Sequence, residues 1–257
     1  AGRRVRAATA ALLAELDLTP KPGLVDREHC GAHRDMDAQR MEAGALALDE
    51  TFAALECIGR EARTLSRALR EEVGAIARAG ERAMLRATGG VNTHRGALWS
   101  LGLLTTAGSL SGAMSASEIA ARAARLARIA DRFVPPFASN GANIERRYGV
   151  RGARGEAEAG FPAAVNIALP ILRAGGPRSA ANALLAVIAN IDDTCVLHRG
   201  GPRGLYLVRV GARSALAHGN DRALRSFDRA LVARGLSPGG SADVLAAALY
   251  LAHHAPA

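Results

Sequence analysis

Three features predict an all-α fold. Apolar residues recur at three- and four-residue spacing along most of the chain, alanine is abundant throughout, and evidence for strands is thin. Alanine has the highest intrinsic helix propensity, so local preference and apolar spacing agree. Val5, Leu12, Leu13 and Leu16 mark a first amphipathic segment, stopped by Thr19-Pro20-Lys21-Pro22-Gly23. Met41, Ala45, Leu48, Phe52 and Leu55 form a second seam, and Leu65, Leu69, Val73 and Ile76 a third. Ser115 and Glu118 have the spacing of a capping box. They open a fourth helix through Ile119, Ala123, Leu126, Ala130 and Phe133, predicted to end at Pro135-Pro136. Leu184, Leu185, Ile188 and Ile191 mark another, and Val244, Leu245, Ala248 and Leu249 the last. Gly204 to Val210 has the composition of a short strand, although its Leu-Tyr-Leu-Val run also suits a buried helix. No repeat, low-complexity linker or charge block divides the chain. The prediction is one compact domain over residues 1–257, about ten helices packed closely through small side chains, with the active site in glycine-rich interhelical loops.

Composition narrows the function. Among 257 residues, 49% are hydrophobic, which argues against disorder. Three cysteines are too few and too odd for a disulfide scaffold. No apolar run has the length of a membrane span, and no basic segment precedes an apolar one at the start, so a cytoplasmic protein without a membrane partner is expected. The net charge of +9 points to anionic partners. Arg122, Arg125, Arg128 and Arg132 form a stripe that reads as a solvated helix face. Without interleaved aromatics it does not suggest nucleic acid. Of 33 basic residues only Lys21 is a lysine; either it survives by chance or its position needs an ammonium.

The chemically suggestive residues fall in five connections marked by glycine or proline, where a rigid scaffold displays functional groups. The first runs from Thr19 through Lys21 to Gly31-Ala-His33-Arg-Asp35-Met-Asp37. If a helix begins this early, His33 and Asp37 share its buried seam and Asp37 needs a cation; Asp35 is a loop carboxylate or an N-cap. The second, Gly89-Gly90-Val-Asn92-Thr-His94-Arg95-Gly96, opens a helix and resembles a phosphate cradle, though not a Walker sequence. The third, residues 148–162, carries Arg151, Arg154, Glu156 and Glu158. The two glutamates share a face if it is extended and oppose each other if it is helical, and internal Arg–Glu pairing is the plain alternative. The fourth holds Asp192, Asp193, Cys195, His198 and Arg199; adjacent carboxylates repel unless a cation relieves them, and the cysteine packs rather than reacts. The fifth, Ser237-Pro-Gly239-Gly240-Ser241-Ala-Asp243, leads into the last helix with Ser241 as N-cap and Asp243 complementing the dipole. Together they suggest a helical enzyme that binds polyphosphate through Mg²⁺ and does carboxylate-assisted chemistry.

These motifs, Thr-Pro-Lys-Pro-Gly-Leu-Val-Asp with Gly-Ala-His-Arg-Asp-Met, Gly-Val-Asn-Thr-His-Arg-Gly, Gly-Ala-Arg-Gly-Glu-Ala-Glu-Ala-Gly-Phe-Pro, Asp-Thr-Cys-Val-Leu-His-Arg-Gly-Gly and Leu-Ser-Pro-Gly-Gly-Ser-Ala-Asp, resemble the triphosphoribosyl-dephospho-CoA synthase family in order, across residues 19 to 243. Asp37 after Asp35-Met36 and Val-Leu-His-Arg at 196–199 look more like its malonate decarboxylase branch than its citrate lyase branch, where Lys is common at the position of Arg95 and Asn and Ser at those of Cys195 and His198. The resemblance implies that ATP gives its triphosphoribosyl group to the 2′-hydroxyl of 3′-dephospho-CoA and adenine leaves. It also implies that the product passes to an acyl-carrier-protein transferase.

Chemistry applied to the motif positions assigns Glu156 as base. Asp35, Glu158 and Asp193 serve Mg²⁺–triphosphate, with Asp35 and Asp193 also serving the developing positive charge. Lys21, Arg95, Arg154 and Arg199 are the expected phosphate ligands. His33, Asn92, His94, Ser237, Gly239, Gly240 and Ser241 are the remaining expected substrate contacts. A Mg²⁺-dependent nucleotide or ADP-ribosyl hydrolase and a non-catalytic basic adaptor for an acidic carrier protein or RNA are the competing readings. Oligomeric state is not legible; a homodimer is compatible.

Overall fold

The computed structural model describes residues 6–110, 114–134 and 140–254. Among them the chain forms thirteen α-helices and no strand. They are α1 Ala7–Asp17, α2 Ala38–Ala47, α3 Asp49–Glu61, α4 Arg67–Ala87, α5 Arg95–Ser109, α6 Ala116–Arg128, α7 Asn140–Tyr148, α8 Gly152–Glu158, α9 Leu169–Ala174, α10 Ser179–Asn190, α11 Thr194–His218, α12 Asp221–Val232 and α13 Gly239–His254. A π-helical stretch, Ala164–Ala168, runs directly into α9. Helices α5 and α13 form the centre. Helix α13 packs on α1, α5, α9 and α10, while α5 also meets α3, α4 and α6. Apolar residues surround α5 on all sides, as a helix enclosed by others requires. Leu101 and Leu104 of α5 join Leu12, Phe52, Leu185, Leu245 and Leu251 in one buried cluster.

Helix ends follow local sequence. Asp37 accepts from the Arg40 amide at 2.8 Å and caps α2, Ser66 caps α4, and Asn220 caps α12. The Ser115–Glu118 capping box opens α6 as expected. The cap at Asp37 corrects one expectation: the helix starts after it, so Asp37 and His33 do not share a helical seam.

Other boundaries also differ from the sequence pattern. The Met41–Leu55 seam exists, but Leu48 divides it between α2 and α3. Helix α6 ends at Arg128, and Ala130 and Phe133 lie beyond it, with Phe133 62% exposed. Ile129 turns extended there, and Asp131 folds back to Arg78 at 2.7 Å and Arg70 at 3.5 Å. Gly204 to Val210 is helical within α11; Leu205 and Val208 are buried while Tyr206 is exposed. Val5, Pro135 and Pro136 lie outside the described residues. Three of the helices are short, α7, α8 and α9, and α8 lies inside the third stretch that read as a connection. No single helix among the described residues is long and apolar enough to cross a bilayer.

Small residues set the interhelical distances. A Cβ on Gly59 of α3 would sit 2.6 Å from the Thr106 carbonyl oxygen of α5, and one on Gly80 of α4 would sit 2.5 Å from Thr51 Oγ1 of α3. Gly59→Ala presses on backbone that cannot rotate away. It should lower the stability by about 1–3 kcal/mol in urea denaturation, with an unchanged m-value.

Candidate active site

The Thr19–Asp37 connection is a built loop. The Asp26 carboxylate accepts from the amides of Lys21 (2.9 Å), Glu28 (2.8 Å) and His29 (3.0 Å), so one buried acid shapes the turn. Gly23 has φ of +69°, and a Cβ there would lie 2.4 Å from the Leu236 carbonyl oxygen. Asp228 of α12 accepts from the Gly23 amide and pairs with His29, pinning the loop from outside.

A second buried acid joins two helix starts. Asp193 Oδ1 accepts from the Cys195 and Val196 amides at 2.9 and 3.3 Å, capping α11. Its Oδ2 accepts from the Ser241 amide at 2.7 Å and the Ser241 hydroxyl at 2.8 Å, in the first turn of α13. Burial pushes the carboxyl above the usual range, and these four donors pull it back. Gly239 and Gly240 permit the approach: a Cβ would lie 3.1 Å from Cys195 Sγ and 3.2 Å from the Asp193 carboxylate respectively. The double glycine thus fits the close packing at this junction.

Two cavities adjoin this junction. The larger, about 550 Å³, is lined from the first loop by Lys21, His33 and Asp35, from the α5 start by Asn92, His94, Arg95 and Gly96, and from α11 and α13 by Arg199, Ser237 and Gly239. The smaller, about 210 Å³, is lined by Arg151, Glu156, Asp192, Asp193 and Gly240. Among the described residues, only Thr194 and Asp243 line both.

In the larger cavity the sole lysine is buried and donates to Glu15 Oε1 at 2.6 Å and the Glu15 carbonyl at 3.1 Å. His33 Nε2 bonds Ser237 Oγ at 2.9 Å, and its Nδ1 meets Arg199 at 3.1 Å and Asp35 at 3.6 Å. Burial, with Arg199 beside it, lowers its pKa. Arg199 also donates to the Ala32 and Gly235 carbonyls, both at 3.1 Å, and has no carboxylate partner among the described residues. Arg95, 45% exposed, pairs with Glu81. Asn92 Oδ1 accepts from the Arg95 amide at 3.0 Å, capping the α5 start. Gly89 and Gly90 lie outside both cavities; their left-handed backbone ends α4, with the Gly90 amide reaching the Leu85 carbonyl. Of their motif, the part from Asn92 to Gly96 lines the larger cavity. His94 is buried, and desolvation, with Lys21 nearby, lowers its pKa to about 3. Its Nδ1 contacts Thr93 Oγ1 at 2.8 Å, while Nε2 has no partner among the described residues.

The smaller cavity decides the two glutamates. Residues Gly152–Glu158 are helical, so the pair opposes. Glu156 Oε1 accepts from the Ala163 and Ala164 amides at 2.7 and 3.3 Å, and burial raises its pKa. Glu158 turns away to Arg151 and Arg154, the internal pairing foreseen as the plain alternative, and neither Glu158 nor Arg154 lines a cavity. Asp192 pairs with Arg209 at 2.9 Å. Burial pushes the Cys195 thiol up, in keeping with a packing role.

Asp35, Glu158 and Asp193 therefore do not assemble into a magnesium site. Asp35 is exposed at the rim of the larger cavity, Glu158 is outside, and Asp193 is occupied by helix donors. No group of three potential ligands exists among the described residues. Ser241, fully buried on Asp193, is likewise a clamp element rather than a substrate contact. Sequence reasoning passed over Glu15, which lies on an apparently ordinary helix, and treated Asp243 as a dipole complement. Asp243 closes the fifth motif, whereas Glu15 has no sequence signal beyond a charge at an inward helical position.

A family model described as CitG: ATP:dephospho-CoA triphosphoribosyl transferase matches residues 1–255. A protein of Azotobacter vinelandii named "Probable 2-(5''-triphosphoribosyl)-3'-dephosphocoenzyme-A synthase" is 48% identical over 258 residues, covering 95% of this chain and 88% of its own. One of the same name from Stutzerimonas stutzeri is 47% identical over 263 residues, covering 97% and 91%. A crystal structure carrying the name triphosphoribosyl-dephospho-CoA synthase, from Archaeoglobus fulgidus, superposes with a TM-score of 0.60 at 17% identity, covering 82% of this chain and 97% of that one. At that identity it speaks for the shared fold.

Two outcomes follow from the buried groups. Lys21→Arg overfills a closed site around Glu15 and should lower stability by about 1–3 kcal/mol, read by urea denaturation. His94 binds its proton more weakly folded than unfolded, so its contribution is complete above pH 6.5 and is lost as pH falls toward about 3. Between pH 7 and 5, His94→Gln should lose about 2 kcal/mol less unfolding free energy than the parent.

Proposed function

The chain belongs to the ATP:dephospho-CoA triphosphoribosyl transferase family, and we propose that its two adjoining cavities seat the two substrates of that transfer. The reaction moves the 5-triphosphoribosyl group of ATP onto the 2′-hydroxyl of 3′-dephospho-CoA and releases adenine. The observation that carries the assignment is the shared wall: a larger, cation-bearing cavity and a smaller, carboxylate-lined one meet at Thr194 and Asp243. A transfer between two nucleotides needs such a junction, because acceptor oxygen and anomeric carbon must be held at near-attack distance.

The residues divide accordingly. Arg199, without a carboxylate partner, and Arg95, half exposed at the α5 start, receive the triphosphate, which stays on the transferred group and serves to position it. Lys21 adds positive potential from its buried pair with Glu15. His94 is neutral at pH 7 and offers Nε2 as a hydrogen-bonding group to base or ribose. Glu156, whose pKa burial raises, lines the smaller cavity and is the proposed proton donor to the departing adenine. Magnesium enters on the triphosphate as part of the substrate. Asp35, the member of the expected ligand trio that lines the larger cavity, is placed to meet it at the rim.

The same reading puts the enzyme in the cytoplasm, on the malonate decarboxylase side of the family, from Asp37 after Asp35-Met36 and from Val-Leu-His-Arg at 196–199. Its product then goes to a transferase that loads an acyl-carrier subunit.

With ATP and Mg²⁺, adenine should appear only when dephospho-CoA is present, in equal amount with a CoA derivative heavier by one triphosphoribosyl unit. Chromatography of both products checks this. Adenine or ribose release without the acceptor would instead mark a hydrolase, and binding without ATP consumption an adaptor.

A further inference from the structure

We propose that Asp243 is the general base for the acceptor hydroxyl, placed where the two substrate cavities meet; this rests on the transfer reaction proposed above. A base for this reaction must reach the substrate that supplies the hydroxyl and stand beside the sugar that accepts it. Asp243 is the one ionisable side chain among the described residues that lines both cavities. The other carboxylates are otherwise engaged. Asp193 has both oxygens filled by helix donors, Glu158 is ion-paired outside, Asp35 is at the exposed rim, and Glu156 lines the smaller cavity alone.

The surroundings of Asp243 are built for its carboxylate. A Cβ on Gly96 would crowd Asp243 Oδ2, so the α5 start is shaped to admit that oxygen, and the Ala97 amide donates to the Asp243 carboxylate. The ionisable groups around it are Asp193 and Cys195 from α11, Glu15 from α1 and Lys21 from the first loop, with His94, Arg95 and Arg199 across the larger cavity and Arg151, Glu156 and Asp192 across the smaller. No cation pairs with it among the described residues, and its strongest charged neighbours are the carboxylates of Asp193 and Glu15. Burial and those two charges hold its pKa well above the usual carboxylate range. The buried, unpartnered Nε2 of His94 in the shared larger cavity independently marks this wall as one that receives a ligand.

In the step, the 2′-hydroxyl oxygen bonds to C1′ of the ATP ribose as the C1′–N9 bond breaks, its electron pair leaving with adenine. The hydroxyl proton passes to the Asp243 carboxylate. Adenine takes a proton from the Glu156 carboxyl, and exchange with solvent restores both groups. A carboxylate beside C1′ also stabilises the positive charge developing on the sugar.

Asp243→Asn tests this by steady-state adenine release. The variant should lose at least about 100-fold in kcat, with KM for both substrates changed less than about threefold. Its thermal midpoint should not fall, because a buried, unpaired charge is removed. A variant keeping a third or more of the parental kcat overturns the assignment. The wild-type protein supplies a second reading: kcat should rise with pH along an acidic limb whose midpoint lies above the ordinary aspartate range. A flat kcat profile between about pH 5 and 8 overturns it as well. Absence of adenine from the wild-type protein with both substrates overturns the transfer reading itself, and Asp243 with it. Adenine from wild type and undiminished turnover in Asp243→Asn overturn the base alone.

Discussion

The site depends on one buried carboxylate. Asp193 accepts four hydrogen bonds, two from the start of α11 and two from the first turn of α13, and so locks two helix N-termini together. Helix starts carry unsatisfied amides and a positive dipole end, which would oppose close approach without an acid between them. The lock places Thr194 and Asp243 on a common wall, and with it the two cavities. Gly239 and Gly240 leave room for it, since methyl groups there would crowd Cys195 and the carboxylate itself.

The charges sort by the same logic of compensation. Some surface arginines have carboxylate partners, such as Arg27 with Asp17 and Glu42, Arg132 with Glu71, and Arg225 with Glu28, and these pairs do not supply the +9 excess. Exposed pairs of this kind contribute little to stability. Around the cavities, Arg199 has only carbonyls and a histidine for company, and Asp243 faces other carboxylates. Unbalanced charges of opposite sign on two walls suit a reaction that holds a polyanion at one end and develops positive charge at the other.

Helical seams and caps were legible because they obey local rules. The Ser115–Glu118 box, the proline-marked loop around Lys21 and the inward rows of α3, α10 and α13 depend on spacing alone. Their ends were less legible. Leu48 interrupts a seam without any breaking residue, and α6 stops at Arg128, beyond which Asp131 reaches back to Arg78 of α4, 53 residues earlier in the chain. In the third motif, helix or extended chain gave opposite arrangements of Glu156 and Glu158, and packing of α8 against α6 selected the helix.

By itself the sequence determined the all-α class, the Ser115–Glu118 capping box and the family, since each is written in spacing or in contiguous motifs. Tertiary structure decided which polar residues face substrate. Asp193, Ser241, Glu158 and Arg154 have the residue types of a site but are satisfied by one another or by helix ends, whereas Asp243, read from its motif as a dipole complement, and Glu15, on a plain helix, face the cavity. The difference is physical: a side chain's chemistry is available to a ligand only if no neighbour already uses it, and neighbours from distant helices meet only in the folded chain.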